Sequence, residues 1–177
     1  MAEALRFWIH LVAATAWVGP QIFMFAAVTP ALRTVEEPAA RYRAVLVLTK
    51  RFAIVAWVAM AVLVVSGILN VMEEQEEFDV FDFDLRYAWL LVTKLSLVAL
   101  TILLTAWHSY VIGPRLMALL EAGQDGPEAP PQADAPRAQA ALRRQSVLVS
   151  TINLVVAVAI LLLVALLQSE EFSFHRI

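Results

Sequence analysis

Long apolar stretches separated by short polar ones make up most of this 177-residue chain. An α-helix needs roughly 20 apolar residues to cross ~30 Å of hydrocarbon, and four stretches have about that length. Backbone polar groups in lipid must be satisfied within the segment, so these stretches are expected to be helical. The pattern predicts an all-α integral membrane four-helix bundle with up-down-up-down topology, formed as a single domain by residues 1–177. The predicted spans lie at about residues 5–29, 51–72, 87–112 and 146–167.

Each predicted span also carries polar residues or methionines at helical spacing, so that they share one face of their helix. Polar groups inside a membrane are costly and normally face the interior of a bundle. The four faces are therefore expected to converge on one internal polar column. The residues concerned are His10, Gln21 and Met24 in the first span, Met60 and Asn70 in the second, Lys94, Thr101, Thr105 and His108 in the third, and Ser146, Ser150 and Asn153 in the fourth.

The rise of an α-helix, about 1.5 Å per residue, gives the expected depth of each residue. His10, Asn70 and Lys94 fall in the third of the bundle nearest the predicted outer surface, whereas His108 falls near the opposite end. The two histidines are then about 25 Å apart along the membrane normal. They are therefore not expected to ligate one metal ion or one haem.

Each of these residues has a structural interpretation beside the functional one. His10 is either an interfacial histidine bonded to a neighbouring helix or a residue that binds a ligand or handles a proton. Lys94 either extends its ammonium group to the surface or contacts an anionic group inside the bundle. His108, beside Tyr110, fits the headgroup level, and Met60 fits a packing role.

Composition supports the membrane assignment and narrows the chemistry. Hydrophobic residues make up 61% of the chain and the mean hydropathy is +0.73, whereas soluble domains average about 45–50% apolar residues. Cysteine is absent, which excludes disulfides, thiolate metal sites and a cysteine nucleophile. The sequence has no glycine-rich phosphate loop and no basic nucleic-acid patch. The expected partner is therefore the lipid bilayer and not nucleic acid.

The charges of the loops predict the orientation of the chain. Nine of the 13 lysines and arginines lie in the loops that join the first span to the second and the third to the fourth, and three lie at the opposite ends. Because basic loops stay in the cytoplasm, both termini are expected outside, in a multi-pass protein of the cytoplasmic (inner) membrane. A Pro-, Gly- and Ala-rich stretch at about residues 121–137 predicts a flexible cytoplasmic linker.

The predicted outer loop, residues 73–84, carries seven acidic residues and no basic one. It is interpreted either as a solvated loop whose charges repel one another or as a mouth that attracts cations. The loop lacks the ligand spacing of an EF-hand, so it is not predicted to be a site of that kind.

Several short motifs resemble those of CopD-type membrane proteins, the copper resistance D family. His10 is followed seven residues later by Trp17, and the first span ends in a Pro-x-Leu-Arg motif. The second span begins with a basic residue and Phe and ends near Ser66-Gly67. The third begins with Leu-Leu-x-x-Lys94-Leu, and the fourth follows Leu-Arg-Arg. The similarity extends over nearly the whole chain.

A second family is similar at fewer positions. HemJ-type protoporphyrinogen oxidases resemble this chain at His10, Trp17, Lys94 and Leu95, although the chain departs from them after Trp17. That resemblance implies haem b, with His10 as an axial ligand and a propionate near Lys94.

Three functions remain open on this basis. The CopD resemblance implies copper transport or delivery through the polar column, with a periplasmic copper-binding protein or a second copy of the chain as partner. The HemJ resemblance implies a haem-binding redox protein, either an oxidase or an electron carrier. The third function is that of a structural or regulatory subunit, in which the residues of the polar column only fix the packing of the helices. The candidate cofactor-binding residues are His10, Lys94 and Asn70, and the candidate copper ligands, chosen because Cu(I) suits imidazole and thioether groups, are His10, Met72, Met60 and His108.

Overall fold

A computed structural model describes residues 1–77, 79–122 and 135–169 of the protein. The regular elements of these residues are helical, apart from a single bridge residue at Leu85. In chain order they are α1 (Ala2–Phe23), a π-helical turn (Met24–Val28), α2 (Thr29–Arg33), α3 (Pro38–Glu77), α4 (Arg86–Trp107), a second π-helical turn (His108–Ile112), α5 (Gly113–Ala122) and α6 (Ala135–Leu167).

Four continuous helical segments are long and apolar enough to span a membrane. They are the first span (Ala4–Arg33), the second (Pro38–Glu76), the third (Arg86–Glu121) and the fourth (Arg137–Leu167). The first and third spans each run through a π-helical turn without an interruption of the helix. The prediction of an all-helical protein with four helices of membrane-spanning length and composition is confirmed.

The helices are longer than the hydrophobic runs that predicted them. α3 begins at Pro38, whereas the predicted second span begins near residue 51, and the third span continues through α5 to Ala122. Helical hydrogen bonds do not require apolar side chains, so a helix continues into water as long as its sequence lacks breakers. Pro38 suits the first position because its missing N–H would have no helical partner there. The predicted linker at 121–137 falls mostly outside the described residues, which stop at 122 and resume at 135.

Small and large apolar side chains fill the centre of the bundle, where the four spans meet. α1 packs mainly against α3, α4 packs mainly against α6, and α1 also contacts α6. Lipid tails are as apolar as these side chains, so the helices associate through close packing, which small residues at the interface permit. The buried residues of this central core are Trp17, Val18, Ala56, Ala59, Met60, Ala157 and Ile160, and Leu97, Val98 and Ile102 of α4 pack against them.

A second buried cluster closes the end of the bundle that carries the acidic residues 73–84, which we call the acidic end. Val80, in the turn between α3 and α4, is 0% exposed and packs with Tyr87 and Leu91 of α4 and with Leu167 of α6. Two aspartate side chains of the turn accept hydrogen bonds from backbone N–H groups two residues further on, as is typical of turns that contain Asp. The turn is therefore folded onto the bundle and anchored by one apolar side chain.

We expect Ala157→Leu to lower the free energy of unfolding by about 1–3 kcal/mol, because a larger side chain must displace the core around it. Ala157 is 0% exposed, whereas its neighbour Val158 is 50% exposed, which makes Val158→Leu the matched control. Tryptophan fluorescence recorded during heating of the detergent-solubilised protein measures the change. Equal melting temperatures for the two variants would contradict the packing described above.

Candidate functional site

Polar and charged side chains from the first three spans gather at the acidic end of the bundle. α1 begins, α3 ends and α4 begins there, which brings residues that are distant in sequence close together. We call the group the acidic-end cluster. It consists of Arg6 and His10 of α1, Ser66, Glu73 and Glu74 of α3, and Tyr87 and Lys94 of α4.

His10 is held by a hydrogen bond that also decides which ring nitrogen carries the proton. Its Nδ1 lies 2.7 Å from Ser66 Oγ, and the same Oγ lies 2.6 Å from the Val62 carbonyl oxygen. A serine hydroxyl has one hydrogen and a carbonyl oxygen only accepts, so Ser66 donates to Val62 and accepts from the Nδ1–H of His10. Nε2 is left with a free lone pair. An imidazole in this state binds a metal ion or accepts a proton.

Gly67 leaves room for the imidazole ring against the backbone of α3. A Cβ atom built at Gly67 would lie 3.7 Å from His10 Cε1, which is ordinary van der Waals contact. Alanine would therefore fit at this position, whereas a longer side chain would compete with the ring for the same space. The small residue next to Ser66 thus helps to determine where the histidine lies.

The charges of the acidic-end cluster compensate one another. Arg6 forms a salt bridge with Glu73, and the Tyr87 hydroxyl donates a hydrogen bond to Glu74. Lys94 is half-buried and interacts electrostatically with Glu74 and with the histidine. Charges that leave water are tolerated when they are paired. The cluster contains two cationic and two anionic side chains, of which Lys94 interacts electrostatically with the histidine.

An amide pair links the first span to the fourth in the middle of the bundle. Gln21 of α1 is 6% exposed, and its Nε2 donates to the Trp17 carbonyl oxygen at 3.1 Å. Its Oε1 accepts from Nδ2 of Asn153, in α6, also at 3.1 Å. Thr101 of α4 is buried in the same bundle and donates to the Val98 carbonyl oxygen of its own helix. Gln21, Asn153 and Thr101 are thus all inside the bundle, as the polar column requires.

His108 lies past the middle of the third span, in the π-helical turn that follows α4. Its Nε2 is 2.9 Å from Ser146 Oγ, in the first half of α6. The ring of Tyr110, from the same turn, lies against Trp57 with centroids 5.8 Å apart. The two histidines of the polar column therefore have separate partners on separate parts of the bundle.

The candidate copper ligands do not all come together in the structure. Met72 is 62% exposed, so its thioether lies outside the bundle interior, whereas Met60 is 5% exposed in the central core. Asn70 is half-buried on α3, between Ser66 and the end of the helix. Within residues 1–77, 79–122 and 135–169, no group of three or more histidine, aspartate or glutamate side chains is placed to hold a metal ion. Of the candidates, His10 and Lys94 are members of the acidic-end cluster.

Five members of the cluster were not predicted as site residues, namely Arg6, Ser66, Glu73, Glu74 and Tyr87. All of them except Ser66 lie at or just beyond the ends of the predicted spans, where charged and aromatic residues are expected to face water or headgroups. One signal in the sequence could have identified Arg6. It is a lone basic residue at the start of a span whose neighbour ends in acidic residues, and opposite charges at adjacent helix ends attract.

The family model described as Copper resistance protein D matches residues 46–167 of the chain. The matched region holds most of α3 and all of α4, α5 and α6, and it begins after the first span. Ser66, Glu74 and Lys94 therefore lie within the match, whereas His10 lies outside it. No match was found among curated proteins or among solved structures.

We expect nitrogen NMR of the histidine rings to show the proton of His10 on Nδ1, because Ser66 supplies the acceptor for that N–H. Ser66→Ala should move the signal, since alanine offers no acceptor. Ser146→Ala is the matched control, because it removes the hydroxyl bonded to His108 and leaves His10 untouched. A proton on Nε2 of His10 in the unaltered protein would contradict the assignment.

Proposed function

We propose that this chain, which belongs to the copper resistance protein D family, takes up copper ions at the acidic end of its bundle. Membership rests on a family match that covers more than half of the residues. The family and the four spans together make it a copper-related multi-pass membrane protein. We propose further that copper is its cargo. The polar column would either transport copper across the cytoplasmic membrane or deliver it there.

The observation that carries the proposal is the contact of His10 Nδ1 with Ser66 Oγ, from which we infer that Nε2 carries the lone pair. Cu(I) is a soft ion that suits imidazole and thioether ligands. A histidine that binds a metal usually donates its other ring N–H to a neighbour, which fixes the orientation of the ring. Ser66 supplies that acceptor, so His10 is already oriented for a metal ion.

Further groups along the bundle extend the proposed path. Met60 is the next soft group on α3. It precedes Ser66 by six residues and so lies about 9 Å further from the acidic end. Its thioether is buried in the central core, where Cu(I) would find little competition from water. Lys94 and Asn70 lie at the entry, where the electrostatic interaction of Lys94 with Glu74 offsets the repulsion that an ammonium group exerts on a cation. His108 is the proposed contact near the opposite end.

The proposed orientation is up-down-up-down with both termini outside. The start of α1 is joined to the end of α3 by Arg6 and Glu73, and the start of α4 packs on Leu167 at the end of α6. These pairings support antiparallel neighbours. The basic loops then lie at the far end, which the positive-inside rule assigns to the cytoplasm.

With this orientation the acidic end faces the periplasm. Acidic residues raise the local concentration of cations, so the acidic segment is proposed to attract copper, and a periplasmic copper-binding protein is the proposed donor. A second copy of the chain is the other proposed partner. The haem role is not carried forward, because the matched family is one of copper resistance.

We expect His10→Ala to weaken Cu(I) binding by at least about tenfold, since losing even the hydrogen-bond partner of a ligating histidine costs about 10–100-fold in metal affinity. Competition with a chromophoric Cu(I) chelator, on detergent-purified protein, measures the affinity. Thr15→Ala is the matched control, because it removes an exposed side chain of the same helix that is bonded only to its own backbone and lies outside the proposed path. Copper uptake into proteoliposomes should fall in parallel with binding.

Two results would contradict the proposal. A Soret band in the purified protein would assign haem in place of copper. Unchanged copper binding and copper-dependent growth in both His10→Ala and Lys94→Ala would leave a structural subunit, whose polar residues only fix the packing of the helices.

A further inference from the structure

The orientation of the amide groups in the middle of the bundle leaves one oxygen atom without a partner. The Trp17 carbonyl oxygen only accepts, so Gln21 presents its Nε2 to that oxygen, at 3.1 Å. Gln21 must then present its Oε1 to Asn153, whose Nδ2 donates at 3.1 Å. Both amides are fixed in this way, and the Oδ1 of Asn153 points away from Gln21. This oxygen is buried and has no hydrogen-bond partner among the described residues.

A hydroxyl on the adjacent α4 is unpaired as well. Thr105 Oγ1 is buried, and it too has no partner within the described ranges. Hydroxyl groups inside helices commonly bond to a carbonyl about one turn earlier, as those of Thr93 and Thr101 do in the same helix. The hydroxyl of Thr105 does not, so both its proton and its lone pairs are available to another group.

The packing of α4 against α6 brings these two groups to adjacent levels. The two helices run in opposite directions, because His108 bonds to Ser146 at one end, while the start of α4 packs on Leu167 at the other. Thr105 lies three residues from His108 along α4, and Asn153 lies seven residues from Ser146 along α6. Both are displaced from the His108–Ser146 bond toward the acidic end. Their levels therefore differ by about 6 Å. Thr105 shares a helical face with His108, and Asn153 shares one with Ser146, so the two face each other.

Side-chain direction reduces that offset. In an α-helix the Cα–Cβ bonds tilt toward the N-terminus. α4 begins at the acidic end, so Thr105 leans toward the level of Asn153. α6 begins at the opposite end, so Asn153 leans toward the level of Thr105. The unpaired hydroxyl and the unpaired amide oxygen thus approach each other from both sides.

We propose that one water molecule is bound between Thr105 Oγ1 and Asn153 Oδ1, in the middle of the bundle. A water that bonds to two oxygen atoms joins atoms up to about 5.6 Å apart, which is twice the usual O–H···O distance. Buried polar groups that lack a protein partner are the usual sites of internal water. The site offers neutral oxygen atoms, which do not suit Cu(I). The inference is therefore independent of the proposed copper function.

This water completes a polar connection across three spans. It joins Thr105 of the third span to Asn153 of the fourth, which is already bonded to Gln21 of the first. The connection crosses the bundle at a depth where lipid offers no hydrogen bonds. It gives the apolar centre one hydrated point.

Asparagine labelling tests the proposal directly, because Asn70 and Asn153 are the two asparagines of the chain. NMR of protein with isotope-labelled asparagine should show magnetisation transfer from water to the Asn153 side-chain amide. Thr105→Val should remove that transfer, and the conservative Thr105→Ser should keep it. Transfer that persists in Thr105→Val would overturn the proposal, as would a signal that depends on the concentration of Na⁺ or K⁺, which would assign a metal cation to the site.

A double-mutant cycle gives a second readout. Thr105→Val and Asn153→Leu should be coupled, with the double variant changing the folded-to-unfolded ratio about threefold or more away from the product of the single effects. Thr93→Val combined with Asn153→Leu is the matched control and should be additive, because the exposed Thr93 is bonded within its own helix and lies about 12 Å from the level of Asn153. Additivity in the Thr105 cycle would count against a shared water.

Discussion

A polar group inside a lipid bilayer has no solvent to bond with, and this constraint organises the whole bundle. Hydrogen bonds between neutral side chains join the first span to the second, the third to the fourth, and the first to the fourth. Together they place the spans in the order second, first, fourth, third. The bonded pairs are His10–Ser66, His108–Ser146 and Asn153–Gln21. Apolar packing alone would leave the rotation of each helix far less determined.

Close packing also holds the helices together. Burial of apolar surface does not do so, because the helices are already surrounded by apolar lipid tails. Alanines at the contact between spans let the backbones approach, and Trp17 and Met60 fill the space between them. The hydrogen-bonded pairs flank this core on both sides. The polar bonds therefore fix rotation and register, while the small residues fix the distance between helices.

The four helices were predictable because a run of apolar residues long enough to cross a membrane has almost no other stable form in lipid. Their ends were not, because α3 starts at Pro38, outside the apolar run, where only tertiary context decides whether a helix continues. The interior faces of His10 and Asn153 followed from helical spacing. Met72 was chosen for its depth and its thioether, without regard to its face of the helix. It lies two residues from Asn70, which is more than half a turn around the helix, and its side chain is 62% exposed.

The ligands at the acidic end bear on whether copper is a cargo or a resident cofactor. A conduction pathway needs contacts that are favourable enough for an ion to enter and weak enough for it to leave. Among the described residues, one imidazole with a free lone pair, supported by Ser66, meets that need better than a closed set of three or four ligands would. A single imidazole at the entry is therefore the arrangement that the proposed cargo role calls for, since it offers an ion a contact that the ion can also leave.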